Sequence, residues 1–505
     1  MPGFIYSDIV ERWDVFEAAV HGRTEGNPFV DYDITGVFTH KNETKQVEGF
    51  YDGEGLYKIR FMPSFRGSYT FEISGSFSSE SYKGSFECVA PTGNNHGPVR
   101  VANTYHFSYE DGSPYYSIGT TCYAWTHQPA EQQEKTLETL KGSAFNKIRF
   151  CVFPKHYDYN LSEPITYPYQ GVPCDSSKLT SENFMEFNGN APGNEWDFSR
   201  FNPRHFQLFE QRIKELMLLG IQADLIIMHP YDRWGFSQMD AKWDDLYWKY
   251  VIARFSAFRN VWWSLANEYD VMTKKDLSDW ERYAAIICEK DVYNRLRSIH
   301  NCRPFYDYSR PWITHCSIQR QDVYKTAECV DEWRERYKKP VVLDEIAYEG
   351  NIEHGWGNIS GRELVRRFWE ATCRGGYAGH GETYLAEDKY LWWSHGGVLH
   401  GESPERLKFL QRILEETPCG GLQPIQASWD EVAATGGSGY YLYYYGFNRP
   451  SFRKYYFDDT NEYRVELIDT WDMKIDELGT YKGKFRIDMP GKEYMAVRIR
   501  KVDSR

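Results

Sequence analysis

Metal- and nucleotide-binding signatures are missing from this chain. It has no CxxC pair, no HExxH, no P-loop and no GxGxxG opening a helix, so neither a metal nor a cofactor is expected. Its ten cysteines are scattered without ligand-like spacing. They read as reduced, mostly buried thiols and point to a cytoplasmic protein. Basic charge is scarce too: 59 Lys and Arg stand against 72 Asp and Glu, a net charge of −13. A phosphate-binding surface needs clustered Lys and Arg, so nucleic acid is not an expected partner. Long apolar runs are also lacking. The opening stretch "MPGFIYSDIVERWDVFEAAV" is interrupted by Asp8, Glu11 and Asp14. Neither a secretory segment nor a membrane span is visible.

Aromatic residues are abundant: with 17 Trp, 39 Tyr and 30 Phe they make up 17% of the chain. Their faces suit the C–H faces of sugar rings and suit β-sandwich cores equally well. A chain of 505 residues exceeds what one hydrophobic core supports, and two or three domains are expected. Residues 1–97 show short alternating strands such as "GSYTFEISG" between turn clusters, the pattern of an antiparallel β-sandwich. Residues 98–424 alternate apolar strand-like runs with amphipathic stretches. One helix is capped by Asn202-Pro203 and ended by Gly220; another starts at Ser360 with Glu363 at capping-box spacing. Eight such strands predict a (β/α)₈ TIM barrel; a doubly wound sheet lacks its Gly-rich phosphate turn here. Residues 425–505 return to strands and predict a small antiparallel β-sandwich domain. There "YYLYYYGF" must be covered by the barrel or by its own sheet.

Catalytic residues of such barrels lie at the C-terminal ends of the strands. Those ends carry Trp125 and His127 after strand one, Arg149 on strand two, and His229 and Asp232 after strand three. Asn267 and Glu268 close strand four, His315 lies on strand six, and Glu345 and Tyr348 close strand seven. Glu382 belongs to strand eight, with Trp392 and Trp393 following. Glu268 and Glu345 end the apolar runs "VWWSLAN" and "PVVLD", so both carboxylates can converge on the barrel mouth. Asp344 is a rival to Glu345, but strand alternation predicts that it points away from the lumen. Glycoside hydrolysis needs one carboxylic acid and one carboxylate. Their separation distinguishes retention from inversion.

The set Arg149, His229, Asn267-Glu268, His315 and Glu345, with an aromatic after strand eight, resembles the clan of retaining (β/α)₈ glycoside hydrolases that includes the family 5 cellulases and mannanases. The resemblance covers the barrel. It implies that Glu268 is the acid/base, that Glu345 is the nucleophile, and that the other residues bind the −1 sugar. The layout of N-terminal sandwich, barrel with "PVVLDEIAYEG" and C-terminal β-domain is similar to the apiosidase-like barrel family. That family ends strand four in Gly-Gly-Asp where this chain has Ala266-Asn267-Glu268. The departure favours the Asn-Glu chemistry of the broader clan over apiose specificity. An exo-acting hydrolase of short oligosaccharides is the leading expectation. A non-catalytic carbohydrate-binding barrel and a transglycosidase are the alternatives, and a homo-oligomer stays open.

Overall fold

The computed structural model describes residues 4–320, 322–387 and 390–502. The barrel strands are β1 (Gly119–Thr121), β2 (Lys147–Cys151), β3 (Gln222–Met228), β4 (Val261–Ala266), β5 (Arg297–Ser298), β6 (Cys316–Gln319), β7 (Val341–Glu345) and β8 (Tyr377–His380). They pair in parallel, β8 returning to β1, and a single bridge between His300 and Ser317 joins β5 to β6. The helices around them are α1 (Ala130–Gly142), α2 (Pro203–Leu218), α3 (Ala241–Phe255), α4 (Leu277–Lys290), α5 (Val330–Tyr337), α6 (Gly361–Cys373) and α7 (Ser403–Glu415). Between β5 and β6 the alternation fails. That connection contains Pro304 and Pro311, which cannot donate to a helix ladder, and it forms no α-helix.

The caps act as their chemistry dictates. Asn202 accepts a hydrogen bond from the Arg204 amide ahead of α2, and Ser360 accepts one from Glu363 ahead of α6. The capping box at Ser360 is only half formed, because the Glu363 carboxylate is taken by Arg366 and Arg367.

Two sheets built from residues 4–89, antiparallel except where Ile9–Glu11 runs parallel to Glu87–Val89, pack Phe16, Phe38, Phe61, Phe71 and Phe86 between them. A small sheet, Val99–Ala102, His106–Tyr109 and Pro114–Tyr115, closes the bottom of the barrel. Its Phe107 and Tyr115 pack on Trp262, Val342 and Tyr377 from the strands. At the other end of the chain Tyr440–Tyr444 is a central strand of a six-stranded sheet. Tyr440, Leu442 and Tyr444 face the barrel core, and Tyr443 packs on Tyr455 of a second, two-stranded sheet. The aromatic run is thus covered on both faces. All ten cysteines are free and most are buried. No helix among the described residues is long and apolar enough to cross a membrane.

Candidate active site

Residues at even spacing along β2 and β3 point into the barrel, and near its bottom two of them, Lys147 and Asp224, are charged. Lys147 Nζ lies 2.9 Å from Asp224 and 2.6 Å from Asp344. Gly119, its neighbour on β1, leaves room for this crossing: a Cβ there would sit 3.0 Å from Lys147 Cε. One turn of the pleat higher, Arg149 reaches Asn267 Oδ1 at 3.1 Å and Glu345 Oε1 at 3.4 Å.

Asp344 therefore faces the lumen, contrary to the alternation argument. Its second oxygen accepts from Ser317 Oγ at 2.5 Å. Glu345 reaches the same interior because β7 ends there. The β6–β7 register shifts between Ser317 and Gln319, and the last residue leaves the pleat. The two neighbours divide the work: Asp344 is neutralised below, while Glu345 opens to the mouth.

The mouth is a cavity of about 330 Å³, at the small end of ligand sites. Glu268 and Glu345 both line it, with Asn267, Tyr348 and Trp393. Burial by itself would raise the Glu345 carboxyl. A hydrogen bond from His300, whose Nε2 is 3.2 Å away, outweighs burial together with the charge of Arg149 and the Tyr123 hydroxyl. The result is a carboxyl held down to about 2. Glu268 goes the other way. Burial first, and then the negative charge of Glu345, raise it above the ordinary carboxylate range, against the Tyr231 hydroxyl and Lys155. Like charges at one site separate pKa values in this manner. Glu268 also sits in the left-handed region at φ 54°. For a non-glycine residue that is a strained conformation which the surrounding structure must hold.

A relay supports Glu345 from below. Ser317 Oγ, which donates to Asp344, lies 3.1 Å from His300 Nδ1. The His300 ring spans from there to Glu345, so β5, β6 and β7 are tied at the height of the site.

Of the residues singled out in the sequence, Glu268, Glu345, Asn267, Arg149, Tyr348 and Trp393 come together at the mouth. The others stand apart. His229 and His127 each place Nε2 3.2 Å from a backbone carbonyl of the segment after β2, and burial pushes both rings down to about 3. His315 precedes β6 instead of ending it, so it lies edge-on to Trp262 and Phe107 at the barrel bottom. Trp125 packs on Phe150 under the helices, and the Trp392 indole donates to Thr120 Oγ1 at 2.8 Å. Asp232 accepts from the Trp234 and Ser237 amides at 2.8 Å each and shapes its own loop. Glu382 accepts from the amides of His400 and Gly401.

Sequence reasoning passed over Tyr123, Lys155, Tyr157, His300, Gln319 and Trp356, all at or beside the mouth. Strand-end position alone would have flagged His300 and Gln319. Nothing local distinguishes Tyr123 or Lys155. Tyr157 lines the mouth, and Met185 and Asn188, later in the same loop segment, line a neighbouring cavity of about 360 Å³ that shares Tyr157 and Tyr231. At the rim, Asp158, Glu353 and His354 bring ligand atoms within 4.8 Å of one another. They are the described side chains that could hold a cation.

A family model described as the apiosidase-like catalytic domain matches residues 101–449. The chain belongs to the apiosidase-like family. Two domains of unknown function, DUF5060 and DUF5605, match residues 9–76 and 429–500 on either side. A crystal structure of a candidate glycoside hydrolase from Bacteroides vulgatus is 37% identical, covers 98% of this chain and 100% of its own, and superposes with a TM-score of 0.91. A glycoside hydrolase family 5 structure, also from Bacteroides vulgatus, is 17% identical over 80% of this chain and 93% of its own, with a TM-score of 0.59. That second likeness shows the barrel fold alone. No curated protein matches the chain. This member of the apiosidase-like family is an O-glycosyl hydrolase on a (β/α)₈ barrel with β-sheets at both ends.

Proposed function

We propose that the protein hydrolyses glycosides with retention, that Glu345 is the nucleophile, and that Glu268 is the acid/base. The observation that carries this reading is that two carboxyl groups lining one small cavity are pushed in opposite directions, Glu345 down and Glu268 up. Glu345, ionised, attacks the anomeric carbon while Glu268 gives its proton to the leaving oxygen. The covalent glycosyl-enzyme is then opened by water, whose proton Glu268 takes. Glu268 has reason to shift between these roles. Its raised pKa depends partly on the Glu345 charge, which disappears in the glycosyl ester.

Asn267 serves the sugar 2-hydroxyl. Its Oδ1 already accepts from Arg149 at 3.1 Å, so the amide N–H groups are left for the cavity. The cavity's small volume supports exo action on short oligosaccharides or simple glycosides. The neighbouring cavity beyond Tyr231, on the Glu268 side, gives room for the leaving group. Free cysteines throughout the chain support a cytoplasmic setting.

A panel of nitrophenyl glycosides, α and β, pyranoside and furanoside, tests this with Glu345→Gly alongside. Expected is turnover of one glycoside, lost in the variant and restored by azide as the glycosyl azide. Activity that survives Glu345→Gly removes that residue from the nucleophile's role.

A further inference from the structure

The hydrolytic chemistry leaves a buried charge in the mouth without employment. Lys155 follows β2 and is 3% exposed. Its ammonium lies 3.5 Å from the ring centre of Tyr123, 4.3 Å from Tyr231 and 4.5 Å from Trp393. Aromatic faces attract a cation and replace part of its lost hydration. They supply no counter-charge. Among the described residues Lys155 makes no ion pair and its ammonium donates no hydrogen bond. The other buried lysine, Lys147, is clamped between Asp224 and Asp344. An unmatched buried ammonium is costly, and a site that retains one keeps it for a partner of opposite sign.

The partner's position follows from Tyr123. Its hydroxyl touches Glu345 while the face of its ring carries the Lys155 ammonium. A group bound by Lys155 therefore belongs to the sugar that Glu345 attacks. Two cations, Lys155 and Arg303, line the cavity beside Glu345, and the Glu268 carboxyl is pushed up toward its neutral form. This happens in a chain whose net charge is −13.

We infer that the glycone is anionic: a uronic acid whose ring carboxylate sits on Lys155 Nζ, an assignment that rests on the glycosidase reading of this cavity. Three rings close around the ammonium and leave it few N–H directions, which suits one carboxylate better than the three oxygens of a sulfate ester. Burial also pushes Lys155 down to about 8, with the repulsion of Arg149 and only partly against the charge of Glu345. The same ammonium is thus lost in mildly alkaline solution.

The test compares nitrophenyl glucuronides and galacturonides, in both anomers, with the parent hexosides and their 6-sulfates. Titration calorimetry with glucuronate, galacturonate, glucose and galactose runs in parallel. Expected is preference for one uronide, with KM raised about 10- to 150-fold in Lys155→Met and partly recovered in Lys155→Arg. A neutral or sulfated glycoside turned over as well as the matching uronide overturns the inference and leaves the hydrolase standing. So does a uronide KM within about twofold of wild type in Lys155→Met. Silence of every glycoside together with no heat from either uronate overturns both readings.

Discussion

At the contact between the N-terminal sandwich and the barrel, Arg60, Asp52, Glu210 and Arg254 form a closed net. Arg60 binds Glu210 at 2.9 Å and Glu17 at 2.7 Å, and Arg254 binds Asp52 at 2.6 Å and Glu210 at 2.9 Å. Lys58 supplies Asp52 with a further partner at 2.9 Å. At the barrel mouth Arg149, Lys155, Glu268 and Glu345 are as deeply buried, yet the net is open: among the described residues Lys155 has no counter-ion and Glu268 no cation in contact. Depth is therefore not what distinguishes a functional charge from a structural one. In the closed net each charge cancels locally and fixes how two domains meet. In the open one the missing partner is a place for a substrate or for a proton.

Breaking each side in turn sharpens the contrast. The largest effect falls on the open side. Glu345→Gly lowers kcat by at least about 10⁴-fold; it also lowers the melting temperature, because buried Arg149 and His300 lose the carboxylate whose charge they hold against burial. Steady-state kinetics and calorimetry on the same preparation check both halves. On the closed side the order reverses. Arg254→Met leaves Asp52 and Glu210 buried with fewer partners and costs about 3–5 kcal/mol of stability, read by urea unfolding, with kcat per folded molecule unchanged. A large loss of kcat there would mean that the interface shapes the mouth.

Acid provides a third comparison. Burial works against the Glu210 charge, but Arg60 and Arg254 hold its carboxyl down to about 2 from 4.5. Its contribution is fully present above pH 4.5 and is lost as pH falls toward 2. The difference is roughly 3 kcal/mol. Replacing Glu210 with Gln should remove that part of the acid dependence, and a pH series of unfolding curves checks it. The smallest effect is the most diagnostic. Lys155→Met should leave stability unchanged or raise it slightly, since the cation it deletes has no partner to orphan. A clear loss of stability would show that the aromatic cage alone satisfies the ammonium.

Much of the barrel was legible in the chain because its signals are local. Asn202 and Ser360 cap their helices, apolar runs of strand length alternate with amphipathic ones, and Asn267-Glu268 and Glu345 end such runs. His315 shows where this reading fails. "WITHCSIQ" has the composition of a strand but not its boundary; the strand begins at Cys316, and the residue that ends it at the mouth is Gln319. A shift of boundary by a few residues moves a side chain from one end of the barrel to the other. Trp125 and Trp392 illustrate the second limit, since an aromatic in a core and one at a sugar site are the same residue type.

The sequence by itself determined that eight apolar strands would close a barrel and that two glutamates would arrive on its rim, because periodicity and strand ends are properties of neighbouring residues. Only the tertiary structure decided that Asp344 is neutralised by Lys147 while Glu345 faces the cavity. It also decided that the Glu268 carboxyl is pushed up and that Lys155 stands among rings without a counter-ion among the described residues. Protonation and charge matching depend on distances through space between strands far apart in the chain, and those distances exist only once the barrel has closed.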